Sequence, residues 1–165
     1  MGQNKMERID KILNHDLFLE CLNLNEQAEA DRLFCHHDMA HFLDVARIAM
    51  IMNLEKGLGI PEDVIYAAAL LHDIGRYMQY AEGIPHEEAS AQLAPQILKD
   101  CGYSDKETCV IVSAIAAHRD KTVAEETSLN GILYKADKAS RPCFSCKAAG
   151  ECNWKADKKN LSVLW

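Results

Sequence analysis

Residues 67–76, AAALLHDIGR, constrain this chain more than any other stretch. An unbroken apolar run of this kind ordinarily reads as one buried helix with no chemistry in it. This one ends by carrying His72 and Asp73, adjacent in the chain, to the limit of the apolar segment. A carboxylate buried without partners is costly, so Asp73 needs hydrogen bonds, an opposite charge or a metal. Gly75 follows two residues later, where a helix can stop by turning left-handed.

The rest of the chain has the make-up to bury such a run. At 165 residues, with 48% hydrophobic and 26% charged content, it reads as one soluble globular domain. Its formal net charge of -7 argues against binding a nucleic acid polymer, whose phosphates attract basic surfaces. A nucleotide substrate stays open, because a metal site brings its own positive charge. No apolar segment has the length and purity of a membrane span, and residues 1–7 open no signal peptide. The expectation is a cytoplasmic protein with no membrane partner. Its seven cysteines would then be reduced, and their odd number also argues against a simple disulfide framework.

Apolar residues recur at helical spacing through most of the chain. Ile9, Ile12, Leu13, Leu17, Phe18, Cys21 and Leu22 predict one or two amphipathic helices over residues 5–24. The acidic, Ala-rich segment 25–32 reads as helix or solvated connector. Asp38 is a good N-cap for a helix over 39–56, closed by Gly57 and Gly59. Pro61 opens the central helix. Residues 77–83 read as a polar-aromatic link, and Pro85 opens a helix over 86–100 that stops at Gly102. Ser104 and Glu107 form a capping box for a helix running to His118, and residues 128–139 read as the last core helix. No repeat and no strand-like alternation is evident. The fold reading is an all-α, single-domain helical bundle over residues 1–140, with a Cys-containing tail, 141–165, packed on it or extending from it.

A lone histidine on an apolar face is usually a hydrogen-bonded core residue. Position changes the reading for His41, His72, Asp73, His86, His118 and Asp137. Apart from the adjacent pair, each lies in or at the end of a different predicted helix, so a bundle can aim all six inward. Four imidazoles and two carboxylates suit iron, manganese or zinc. Consecutive helical residues point about 100° apart, so the pair needs a metal between their directions or two metals bridged by Asp73. The ligand count favours two ions.

On these residues the chain resembles the HD-domain superfamily of metal-dependent phosphohydrolases, named for its adjacent His-Asp pair. The resemblance rests on His41, on LLHDIG at 70–75 and on YKAD at 134–137, and it covers about residues 31–141. It implies a helical bundle in which His41, His72, Asp73 and Asp137 bind one metal. In members with two further histidines it implies a second metal, here at His86 and His118 with Asp73 bridging. The family often places Lys where this chain has Arg76, which keeps the charge and can grip phosphate oxygens in bidentate fashion.

Such a site activates water near neutral pH, and the expected reaction is hydrolysis of a small phosphoester or a nucleotide. Asp73 would be catalytic, orienting the ions and assisting proton transfer. Arg76, Arg119, Lys138 and Arg141 lie near ligands in sequence and are candidate substrate-binding cations; the alternative for each is a solvated surface charge. Two other readings stand beside this one. Some HD-fold proteins with six such ligands resemble di-iron oxygenases, and a nucleotide-sensing module with little turnover would use the same residues. The substrate and the oligomeric state stay open.

The tail adds Cys143, Cys146 and Cys152, three thiols at spacings that can wrap a metal. Structural zinc generally takes four ligands, and Cys35, His36 or His37 could supply the fourth, Cys35 first among them. The alternative is three free thiols on an ordinary tail.

Overall fold

A computed structural model describes residues 6–165. Its α-helices are α1 (Glu7–Leu13), α2 (Asp16–Ala28), α3 (Met39–Lys56), α4 (Glu62–Leu71), α5 (Arg76–Glu82), α6 (His86–Asp100), α7 (Asp105–Ala117) and α8 (Leu129–Ala139). Short 3-10 turns lie at Lys121–Glu125, Cys143–Ser145 and Ala156–Lys158, and no strand occurs among the described residues. The fold is all-α, as the periodicity implies. The expected absence of a leader and the expected helix start at residue 5 fall on residues 1–5, outside the described residues.

The apolar run forms the second half of α4, and Ala67 through Leu71 are each 0% exposed. Around it pack Phe42, Val45 and Ala49 of α3, Ile111 and Ile115 of α7, and Ile132, Leu133 and Ala136 of α8. Emptying one such position, Leu70→Ala for instance, costs about 2–5 kcal/mol. The helix is therefore held by its whole circumference, and its C-terminal end lies in the centre of the bundle.

Capping residues set where the helices begin, and with them where the ligands stand. The Asp38 carboxylate accepts the His41 backbone N–H at 3.0 Å, which puts His41 in the first turn of α3. Ser104 Oγ accepts from Glu107 N at 3.3 Å while Glu107 Oε2 accepts from Ser104 N at 2.8 Å, completing the capping box of α7. Gly57 closes α3 in the left-handed region at φ 61°.

Two local expectations are corrected and a third is resolved between its alternatives. Gly75 is not left-handed: its φ is -88°. It is glycine because a Cβ there would meet Ser90 N at 2.5 Å and Ala89 Cβ at 2.6 Å, so the corner after α4 presses directly on α6. Residues 77–82 belong to a helix, α5, rather than a link. In the segment 25–32, residues 25–28 are the helical end of α2, one of the two readings, and Asn25 and Glu29 are buried within it and just past its end. Asn25 Nδ2 donates to the Asp73 carbonyl at 2.9 Å and its Oδ1 accepts from Tyr77 N at 2.8 Å, clamping the α4–α5 corner from the far side. No described helix is long and apolar enough to cross a membrane.

Candidate metal centre

Helix ends supply most of this site. His72 and His118 are the C-cap residues of α4 and α7, and each directs Nδ1 to the carbonyl three residues back, Ala69 and Ile115, at 2.6 Å. With Nδ1–H donated to a carbonyl, Nε2 points inward and carries the lone pair whenever the ring is neutral, the tautomer a metal-ligating histidine needs. His86 opens α6 with its Nδ1 2.6 Å from Gln79 Oε1, which accepts its proton, and its Nε2 also faces the centre.

Asp73 stands between two groups of ligands. Its Oδ2 lies 3.2 Å from His72 Nε2 and 3.6 Å from His41 Nε2, and Asp137 Oδ1 is 3.4 Å from His41 Nε2 and 3.6 Å from His72 Nε2. Its Oδ1 lies 3.4 Å from both His86 Nε2 and His118 Nε2. Ligand atoms within each group all lie within 4.8 Å of one another. The structure thus brings all six residues together as two sets that share one carboxylate.

These distances are long for hydrogen bonds between charged groups and match the spacing of ligands around an ion. His41 Nε2, His72 Nε2 and Asp73 Oδ1 are buried without a hydrogen-bond partner. His86 Nε2 and His118 Nε2 face each other at 3.2 Å. Atoms bound at about 2.1 Å to one ion stand roughly 3.0–3.4 Å apart, according to whether the geometry is octahedral or tetrahedral. The donor set fits divalent metal ions.

Electrostatics supports the same reading. Asp73 and Asp137 sit well below the ordinary carboxylate range: burial alone would raise them, but the surrounding imidazoles hold them ionised. His72, although burial opposes it, is raised to about 10 by Asp73 and Asp137. His41 is raised too, its burial overcome by Asp137 and Asp73. Burial, with help from Arg76, pushes His86 down to about 3. The carboxylates hold positive charge where they face His41 and His72, while His86 stays a neutral donor.

The four candidate cations fall in different places. Arg76 Nη1 lies 2.9 Å from His86 Nδ1, and its Nε lies 3.8 Å from Glu29 Oε1. Arg119 lines a cleft of about 250 Å³ with His86, Gln79 and Glu87. Lys138 Nζ donates to Asp137 Oδ2 at 2.5 Å and to the His118 carbonyl at 2.9 Å, tying a ligand of one set to a ligand's backbone in the other. Arg141 turns to the tail, its guanidinium 4.3 Å from the centre of the Trp154 ring.

Two residues absent from the sequence reading of the site adjoin it. Glu29, 2% exposed, accepts from His37 Nδ1 at 2.6 Å and from the Tyr80 hydroxyl at 2.8 Å. His37 Nε2 lies 3.9 Å from Asp73 Oδ2. His37 thus faces the centre rather than serving the cysteines. Its spacing of four from His41 was the available signal.

Comparison with known proteins follows this geometry. A family model described as HD domain matches residues 39–141. An uncharacterized protein of Clostridium beijerinckii is 43% identical over 160 residues, 97% of this chain and 100% of that protein. Ribonuclease Y 1 of Pediococcus pentosaceus is 30% identical over 67% of this chain, which spans only 20% of that enzyme's length. A crystal structure of a predicted HD superfamily hydrolase from an uncultured Thermotogales bacterium superposes with a TM-score of 0.61 at 26% identity, covering 86% of this chain and 80% of that one.

Proposed function

This chain belongs to the HD-domain family, and from that premise we propose that it is a metal-dependent phosphohydrolase acting on a small phosphoester or nucleotide. The observation that carries the reading is the division of the Asp73 carboxylate, Oδ2 toward His41 and His72, Oδ1 toward His86 and His118. His41, His72, Asp73 and Asp137 would hold one divalent ion, and Asp73, His86 and His118 a second. Such ions supply Lewis-acid polarisation of a phosphoryl oxygen and acidify water.

The chain's own groups do the rest. Asp73, kept ionised by its imidazoles, would be the carboxylate that both ligand sets share. His37, oriented by Glu29, presents Nε2 3.9 Å from Asp73 Oδ2, where it can hold or release a proton to a leaving oxygen. Arg119, at the cleft beside His86, is placed to meet phosphoryl oxygens, and Arg76 behind it balances their charge. Lys138 positions Asp137.

A chain of net charge -7 argues against a nucleic acid polymer as substrate, and the cleft lined by Arg119 and His86 offers a place for a small ester. Ribonuclease Y relatives support phosphoryl chemistry in the family. The test is phosphate release from a panel of phosphomonoesters, phosphodiesters and nucleotides by protein loaded separately with manganese, iron and zinc. Turnover that disappears in Asp73→Asn supports the reading. Oxygen consumption by the ferrous protein with no phosphate release across the panel would replace it with the oxygenase alternative.

A further inference from the structure

The tail carries a second set of metal-binding side chains that the His/Asp centre does not use. Packing of α3 against α8 brings the start of one beside the end of the other: Ser140 Oγ lies 3.3 Å from His41 Nδ1. Cys35 precedes that junction by six residues from His41, and Cys143 follows it by three from Ser140. The two thiols thus lie on the two chain segments that lead into and out of this junction.

Local hydrogen bonds hold the tail at this place. The 3-10 turn Cys143–Ser145 folds Cys146 back, its N–H donating to the Cys143 carbonyl at 3.2 Å. Two more turns, Ala149 N to Cys146 O at 3.2 Å and Glu151 N to Ala148 O at 3.1 Å, shorten the path from Cys146 to Cys152. Lys159 Nζ ties the Ala149 and Cys152 carbonyls together at 2.9 and 3.2 Å. Asn160 Nδ2 donates to the carbonyls of Lys138, Ala139 and Arg141, closing the end of α8. On the other side, Arg32 Nε donates to the Cys35 carbonyl at 2.7 Å. Burial, and then the neighbouring Cys143 and Cys146, push the Cys35 thiol up, while Arg141 pulls it down.

We propose that Cys35, Cys143, Cys146 and Cys152 hold a thiolate-bound metal centre, a zinc ion or an iron–sulfur cluster, that fastens the tail to the α3–α8 junction. All four are free thiols, the three of the tail half-buried and Cys35 exposed. The tail has only two 3-10 turns of three residues each, and Leu161, Val163, Leu164 and Trp165 are exposed, so it has no core of its own to order it. Residues 141–165 hold five basic and two acidic side chains in a chain of net charge -7, a local excess that offsets the negative charge of four thiolates. No three of these sulfurs lie within 4.8 Å of one another, the spacing found in both His/Asp sets. Sulfurs around one zinc ion stand about 3.8 Å apart, so zinc would draw them inward, whereas a cluster accepts a wider cage. Each ligand gives up its thiol proton to solvent on binding.

The test is metal and acid-labile sulfide analysis of the full chain, purified without oxygen and without a metal-binding tag. About one zinc, or about four iron atoms with matching sulfide, should remain in Asp73→Asn and be lost in Cys143→Ser and in Cys35→Ser. X-ray absorption of the unmutated protein at the edge of the bound metal should read sulfur neighbours, which keeps the test intact if a serine variant fails to fold. Metal content indifferent to both serine substitutions, or an edge spectrum with only nitrogen and oxygen neighbours, overturns the proposal. Its failure would leave the His/Asp centre untouched.

Discussion

Glu29 Oε1 accepts a hydrogen bond from His37 Nδ1 at 2.6 Å, and Glu29 Oε2 accepts the His37 backbone N–H at 2.7 Å. Although burial alone would raise it, the His37 contacts bring Glu29 down to about 2, so the carboxylate is ionised throughout the neutral range. A histidine held this way has one tautomer and one orientation. Removing the imidazole in His37→Asn is expected to lower kcat about 100-fold, the scale of a general acid or base. Glu29→Gln keeps the shape but not the charge, and a loss of about 10-fold is expected. Bound metal should stay at the unmutated level in both, which separates proton handling from metal binding.

Metal binding should appear as stability. Ions that bind only the folded chain add about 2.7 kcal/mol at a hundred times the dissociation constant. For a domain of this size that corresponds to roughly 5–10 °C in Tm. Manganese or zinc should therefore raise the melting temperature by that amount, and a chelator should reverse it. Asp73→Asn, which removes the carboxylate common to both ligand sets, should show a flat response. A full shift in that variant would remove Asp73 from the site.

Much of the scaffold could be read locally. Asp38, Pro61, Pro85, and Ser104 with Glu107 each open a helix by their own chemistry, and the apolar run of α4 declares its burial. The convergence of six ligands is a different kind of fact. Nothing within a few residues of His41 says that Asp137 lies beside it; that expectation rests on the place of each residue in a separate predicted helix and on the family resemblance. Gly75 was misread because its reason is tertiary: the constraint is the backbone of α6 rather than its own φ. Glu29 was hidden for the same reason, since its acidic neighbours are solvated and its partners lie 8 and 51 positions away. Lys138 shows the limit from the other side: a cation next to a ligand in sequence is held by that ligand.

Stability of the metal-free protein should fall as pH rises. His72 is raised to about 10 in the folded chain against an ordinary value of 6.5. A group whose folded pKa is raised contributes stability that is whole below its unfolded pKa and disappears as pH climbs through the folded one. The loss should run from about pH 6.5 toward pH 10, measured by denaturant midpoints in the presence of chelator. Metal binding must expel the same proton, so apparent affinity should increase with pH over that window. Calorimetry in buffers of different ionisation enthalpy would count the protons released; none released would contradict the assignment of His72 as a ligand.

Gly75→Ala tests how tightly the two ligand sets are coupled through the backbone. Its new methyl group would lie 2.5–2.7 Å from Ser90 N and the Ala89 Cβ and carbonyl carbon, so either the α4–α5 corner or α6 must move. Such overpacking costs about 1–3 kcal/mol. His86 begins α6 and Asp73 sits on the corner, so the second ion should be weakened more than the first. The measurement is a two-site metal titration of the variant beside the unmutated chain; equal weakening of both sites would mean the strain is absorbed elsewhere.

The four cations near the ligands should separate under substitution, because their surroundings differ. Arg119 is exposed at the cleft, and Arg119→Ala should raise KM several-fold while metal binding stays unchanged. Arg76 is engaged by His86 and Glu29, so Arg76→Lys, which keeps the charge but loses the planar fork, should lower kcat and raise KM together. Lys138 holds Asp137 Oδ2 and reaches the His118 carbonyl, so Lys138→Met should weaken metal affinity about 10-fold, the lower end for losing a group that orients a ligand. Arg141 stacks on Trp154, and Arg141→Ala should leave KM and metal affinity of the His/Asp centre alone while loosening the tail to proteolysis. Kinetics and metal titration of the four variants in parallel decide among these roles. A KM effect in Arg141→Ala as large as that in Arg119→Ala would place Arg141 at the substrate instead.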